Sequence, residues 1–432
     1  MRVVEGRFIR VCVAVFLIIQ FGAVAQTHSA RITSLEHDAQ TALAAGHPDA
    51  AISAYRTALR LDPSNEKLCL GLGLAYKRVY NYDEARKVLT DCSARHPKSS
   101  SALVELADID FHAQHYDDAI KTLQQAVKRS PSSPRARVEL GAAYHARGDS
   151  DHAFAQFNRA IQLDPHSASA YYFRGELYSE RSANDDDNAR AEADARKAVS
   201  LAPAVEDSRL LLAKILTRTS HCIEAIELLK PLSDPSRDPK NLYELARAYQ
   251  CSGQPGLAAK TQAEFEQRTR QDQEQKTQRM EADHLVDQAA DSARSNQLPA
   301  SLDLLNQALA KDPQNIKAHA VLAKIEFSRG NIPAARQAID LALSADPYNP
   351  DYLYVLGKIL EKQDDWSGAL QTFQKTTVLN PRESDAYFEI SQIYLHDGDR
   401  PKAIAALKNA VKCSPDDPDY RKALQQLLAT QP

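Results

Sequence analysis

Small and large apolar positions recur along the chain at a fixed period and predict a succession of helical hairpins. One copy, from Pro134 to Pro165, reads Arg137-Val138-Glu139-Leu140-Gly141-Ala142-Ala143-Tyr144 and continues through Gly148, Ala153, Phe157 and Ala160. In the first helix of each copy a small residue holds one place: Gly73, Ala107, Gly141, Gly175, Ala213, Ala246, Ala289, Ala323, Gly357 and Ser391. In the second helix the place belongs to Ala51, Ala85, Ala119, Ala153, Ala191, Ala225, Ala258, Ala335, Ala369 and Ala403. Only small side chains let two helix backbones approach closely, so these positions predict tight packing. Larger residues fill the gaps, as Tyr55, Phe157 and Phe373 in some copies and Leu89, Leu123, Leu229, Leu305 and Leu407 in others. Gly46, Gly148, Gly253, Gly330 and Gly398 stand where the two helices join, matching the turn chemistry of a hairpin.

Prolines mark the period. Pro63, Pro97, Pro131 and Pro165 are spaced by 34, as are Pro313, Pro347, Pro381 and Pro415. Proline cannot continue a helix and biases its predecessor away from the helical region, so each hairpin ends at a fixed point. Asp62, Asp164, Asp312 and Asp346 precede four of these prolines and suit a turn. With Leu-Gly-x2-Tyr at 140–144, Ala-x3-Phe at 153–157 and a closing Pro165, the chain resembles the tetratricopeptide-repeat family. The resemblance covers most of the chain after its first 25 residues, although the tryptophan of the family pattern is missing and the sole Trp366 falls at a hairpin turn. It implies an all-α fold, a right-handed superhelical α-solenoid of helix-turn-helix repeats.

Seven units run from Arg31 to Phe265 and four from Ala282 to Pro415. The expected organisation is a signal peptide over 1–25, a first array over 26–265, a connector over 266–281, a second array over 282–415 and a capping helix over 416–432. The connector is Gln-rich and charged, with no Gly or Pro between Gly256 and Pro299. Gln, Glu, Lys and Arg lose little freedom in a helix, so the composition predicts one long helix joining the arrays, with a mobile linker as the alternative. Tyr420, Ala423, Leu424, Leu427 and Leu428 make one apolar face on the last helix, which suits it to cover the final hairpin. Between Pro165 and Pro203 the spacing grows to 38, and the acidic stretch Ser182 to Asn188 is read as a lengthened, solvated interhelical loop.

Arg2, Arg7 and Arg10 precede the apolar run Val11 to Ala25, which ends in the small-x-small sequence Ala23-Val24-Ala25. This is the pattern of a cleaved secretory signal, and it places the mature chain in a periplasm or outside the cell. The apolar run is shorter than the roughly 20 residues that cross a bilayer, so no stable membrane insertion is expected after cleavage. The formal net charge of -4 lacks the basic excess that a phosphate-binding surface needs, which argues against nucleic acid as a partner. An exported chain meets an oxidising compartment, so cysteine pairing follows. In an antiparallel hairpin the early first helix faces the late second helix, which sets Cys69 beside Cys92. Cys222 begins one second helix and Cys251 ends the next first helix. Disulfides Cys69–Cys92 and Cys222–Cys251 are therefore expected, leaving Cys413 over.

Chemistry is hard to find. Gly71-Leu72-Gly73 lacks the third glycine and the preceding strand of a dinucleotide loop. His112, His115 and His145 are too few and too scattered for a metal site and read as surface histidines. His221 and Cys222 are adjacent on a helix and do not face each other. No catalytic residue, metal or cofactor is assigned, and an enzyme is not expected. The stacked first helices instead create a concave groove. Its expected lining in the first array is Lys77, Arg78, Phe111, His112, His145, Tyr172, Tyr243 and Arg247. In the second array it is Lys324, Phe327, Tyr354, Lys358, Phe388 and Gln392. Aromatic anchors mixed with cations suit an acidic or extended peptide. The Lys/Asn clamp that some family members use for a carboxyl-terminal peptide is absent at matching positions. The leading expectation is an exported, non-catalytic scaffold for protein or peptide partners. Assistance to polysaccharide assembly or secretion is the alternative that the resemblance implies, and an unrecognised enzyme is a third.

Overall fold

A computed structural model describes residues 29–181, 185–234 and 238–429. The signal-peptide expectation over 1–25 lies outside these residues. Helices α1 (29–44), α2 (Pro48–Leu61), α3 (Glu66–Arg78), α4 (Tyr82–Arg95), α5 (Ser101–His112), α6 (Tyr116–Arg129), α7 (Pro134–Ala146) and α8 (Ser150–Leu163) come first. There follow α9 (Ala168–Arg181), α10 (Asp185–Leu201), α11 (Glu206–Arg218), α12 (Cys222–Leu229), α13 (Lys240–Cys251), α14 (Pro255–Arg294) and α15 (Leu298–Lys311). The last are α16 (Ile316–Ser328), α17 (Ile332–Ala345), α18 (Pro350–Lys362), α19 (Trp366–Leu379), α20 (Ser384–His396), α21 (Arg400–Cys413) and α22 (Pro418–Ala429). Among the described residues there is no strand, so the fold is all-α.

Each hairpin is set by side chains that satisfy helix ends. The carboxylates of Asp62, Asp164 and Asp312 accept the amides of Ser64, His166 and Gln314, two residues on, which turns the chain around the closing proline. Two residues past Pro63, Pro131, Pro313 and Pro347, the side chains of Asn65, Ser133, Asn315 and Asn349 cap the following first helix. The turn between the two helices needs a left-handed residue. Glycine supplies it at 46, 148, 253, 330 and 398, but Tyr80, Gln114, Ser220, Asn296 and Asp364 take the same conformation, with φ between 57° and 67°. Inside the hairpins the small positions work as expected. A Cβ built on Gly141 would stand 2.5 Å from the Phe157 ring, and one on Gly357 2.4 Å from Phe373. Both rings are fully buried.

Two segments depart from the repeat. α10 has 17 residues against 14 in α8, because Asp185, Asp186 and Asp187 form its first turn instead of extending the loop. Acidic groups at a helix start meet the positive end of the helix dipole. Residues 182–184 of that predicted loop lie outside the described residues. The connector is helical throughout: α14 has 40 residues, about 60 Å at the usual rise, and residues 271–280 are exposed on every side. No helix among the described residues is long and apolar enough to cross a membrane.

The helices form two compact units. One unit runs to Val88 and resumes at Arg279, and the other is Leu89–Gln278. Within the first of these units α2 packs against α19, far along the chain. In the first unit, Tyr420 of α22 is buried with Leu407 and Ala410, against Tyr387, Phe388, Ala423, Leu424 and Leu427. Leu428, expected on the same face, is 44% exposed and stands outside it.

Candidate functional site

The first helices of consecutive hairpins lie side by side, so residues at one register of the repeat form rows. In the second array these rows border a cleft of about 490 Å³. Lys324 and Phe327 come to it from α16, and Tyr354 and Lys358 from α18, joined by Ser328, Asp351, Val355 and Glu383. Four of the six residues expected here are therefore brought together. Phe388 is drawn away to Tyr420, with ring centroids 5.3 Å apart, and serves the capping helix. Gln392 is half-buried on α20 and is not among the cleft residues.

Charge in the cleft differs from the sequence expectation. Lys358 is not an open cation: its Nζ lies 2.8 Å from Glu361 Oε2 and 2.9 Å from Glu389 Oε1. Tyr354 donates to the same Glu389 carboxylate at 3.3 Å. Burial pushes the Glu361 carboxyl above its usual range, against the pull of the Lys358 hydrogen bond. Glu383 is raised as well, first by burial and then by Asp351 and Asp385. Lys324 is exposed and, among the described residues, makes no ion pair. The cleft thus offers two aromatic rings, one open lysine and an acidic rim, which suits an extended segment of mixed charge better than a uniformly acidic one. Sequence reasoning missed the carboxylates. Lys358 with Glu361 is a legible i,i+3 pair, whereas Glu389 is supplied by the next hairpin.

The residues expected to line the first array divide between the units. Lys77 and Arg78 end α3, half-buried and exposed respectively. In the unit Leu89–Gln278, Phe111 packs edge-on to Tyr116 and His112 faces Asp108 at 3.4 Å. His115 is exposed just before α6. His145 Nε2 lies 2.9 Å from Glu180 Oε2, while its Nδ1 is 3.8 Å from Glu176. Tyr172 donates to that Glu176 carboxylate at 3.2 Å. Burial raises the Glu176 carboxyl, while His145 and the Tyr172 hydrogen bond oppose the shift. Tyr243 leans on Phe265 and carries the Arg247 guanidinium at 5.9 Å from its ring centre, and Arg247 also pairs with Glu244 at 3.0 Å. His145 and Tyr172 share one cluster, while Phe111 and His112 pack with neighbours on α5 and α6 and the Tyr243–Arg247 pair has partners of its own.

Cysteines complete the inventory. Cys222 and Cys251 are bonded to each other, with Cα atoms 5.8 Å apart. Cys69 and Cys92 are in disulfide form, and Cys413 is a free thiol whose pKa is raised by burial.

A family model described as tetratricopeptide repeat matches residues 105–168 and 354–418. A second model of the same description matches 42–102 and 293–359, and together the two cover more than half of the chain. Among curated proteins there is no significant match. Similar solved structures include the crystal structure of MamA, 25% identical, covering 38% of this chain and 93% of that one with a TM-score of 0.32. TTC0263, a thermophilic TPR protein in Thermus thermophilus, is 21% identical, with 43% and 98% covered and a TM-score of 0.35. The APC/C hetero-tetramer Cut9-Hcn1 is 13% identical, with 94% and 98% covered and a TM-score of 0.33.

Proposed function

The chain belongs to the tetratricopeptide-repeat family, and from that premise we propose that it is an exported, non-catalytic scaffold that takes an extended segment of a partner protein into the second-array cleft. The observation that carries this reading is the convergence of Phe327, Tyr354 and the open Lys324 on one cleft. Aromatic side chains give large contact area at low entropic cost, and an unpaired lysine adds a charge-assisted bond without first breaking one inside the protein. Lys358 holds Tyr354 and the two glutamates in place and is a positioning residue, not a contact. Export rests on the pattern of residues 1–25, and the Cys222–Cys251 disulfide is in keeping with an oxidising compartment.

The test is a pull-down from an envelope fraction with the full chain and with Lys324→Glu and Phe327→Ala. Each substitution is expected to weaken capture of the bound protein by about ten-fold, the scale of one anchor residue. Capture unchanged in both variants would remove the cleft from the function. A mature chain whose amino terminus is not Gln26 would remove the expected cleavage site.

A further inference from the structure

Within the unit that runs to Val88 and resumes at Arg279, the first hairpins are fastened to the second array across about 300 positions of sequence. Asp49 of α2 pairs with Lys375 of α19 at 3.5 Å. Asn81 Nδ2 donates to the Leu379 carbonyl at 2.8 Å, and the Tyr348 hydroxyl donates to the Gly46 carbonyl. Arg382 Nε stands 3.1 Å from Glu84 Oε1, close enough for charge pairing though not aligned as a hydrogen bond.

These contacts fasten the two segments through polar groups near the surface. The contacts named are ion pairs and hydrogen bonds, set beside buried apolar residues such as Ile52 and Leu379. A surface cleft of about 360 Å³ opens along the same seam, bordered by Tyr80, Asp83, Tyr348 and Arg382. Glu84 is 6% exposed, so its charge depends on Arg382, with the more distant Lys87, for compensation. The seam also adjoins the cleft: Pro350 and Arg382 border the seam, and the next residues, Asp351 and Glu383, border the cleft.

We propose that this seam is a releasable intramolecular clasp, in which the hairpin segments up to Val88 occupy a docking edge of the second array and open from it while the array stays folded, leaving α2 and α19 to fray as they lose their packing. Opening frees the Tyr348 and Arg382 edge and shifts the two carboxylates on the cleft rim. The inference does not depend on what the cleft binds.

Hydrogen exchange on the full chain tests it. Charge attraction across the seam is screened as the Debye length falls from about 10 Å at 0.1 M salt to about 3 Å at 1 M. Exchange over 48–61 and 366–379 is therefore expected to rise with salt. Lys375→Asp and Arg382→Glu should each raise it about ten-fold or more in low salt, with exchange over 150–163 unchanged. Combining Asp49→Lys with Lys375→Asp restores the ion pair in reverse and should bring exchange back to within about two-fold of the parent. Exchange unmoved by salt and by both single variants would overturn the clasp. So would a rise that the reversed pair fails to undo, since the loss would then come from misfolding and not from the contact.

Discussion

Single residues decide where the repeat is sound and where it is strained. Among the described residues, five interhelical turns use glycine at the left-handed position and five use other residues. A side chain in that conformation costs about 1–2 kcal/mol that glycine does not. Gln114→Gly, at φ 60° on an exposed turn, is therefore expected to stabilise the protein by about 1 kcal/mol, read as a higher denaturation midpoint. The glycine turns were legible from sequence because the residue announces its backbone. The other five were not, since Tyr80 or Ser220 is held in place by the hairpin around it and carries no local mark. Glu383 makes a second case. Its carboxyl is raised above the usual 4.5 by burial, then by Asp351 and Asp385. The folded chain therefore binds this proton more tightly than the unfolded chain. The favourable contribution is complete below the unfolded value and is lost as pH rises through the folded one. Glu383→Gln should accordingly raise the melting temperature at pH 7 and leave it unchanged at pH 3, flattening the decline between them. Thermal unfolding across that range is the measurement. Equal shifts at both ends would mean that the substitution acts through packing.

At the scale of elements, the hairpins were readable because their packing is local. Gly141 and Phe157 lie 16 residues apart, and Pro63, Pro131, Pro313 and Pro347 are each followed by a cap, so a short window of sequence contains both halves of each contact. The connector was readable for the opposite reason: with no Gly or Pro it has nothing to interrupt it, and α14 continues for 40 residues. The acidic insertion misled, because three aspartates look like loop until they are placed at the positive end of α10. Four of six cleft residues in the second array followed from register alone, while Phe388 was lost to α22. Cys222 and Cys251 cross-link α12 to α13 over a separation of 29 residues. Closing a loop of that length is worth about 3.6 kcal/mol in the chain-entropy account. Replacing both cysteines by serine should lower stability by about that amount in denaturant titration, with little change in helical circular dichroism. A loss near zero would show that the unfolded chain is already restrained there.

For the whole molecule, the tie between α2 and α19 was invisible in the sequence, because nothing in a repeat register says which distant hairpin will meet which. It also sets the order in which the chain can complete itself. The unit Leu89–Gln278 is one unbroken stretch, so every partner it needs is at hand soon after it is made. The other unit must wait, because Asp49 and Asn81 are synthesised long before Lys375 and Leu379 exist to receive them. Joining such remote segments carries a loop-closure cost and slows folding relative to local contacts. Chains grow at roughly 5–20 residues per second, so about 300 residues of synthesis leave the first hairpins without their partner for roughly 15–60 s. During that interval the edge that later meets the second array is open to chaperones and to other growing chains, which makes the seam a point of vulnerability in biogenesis as well as a joint in the finished protein.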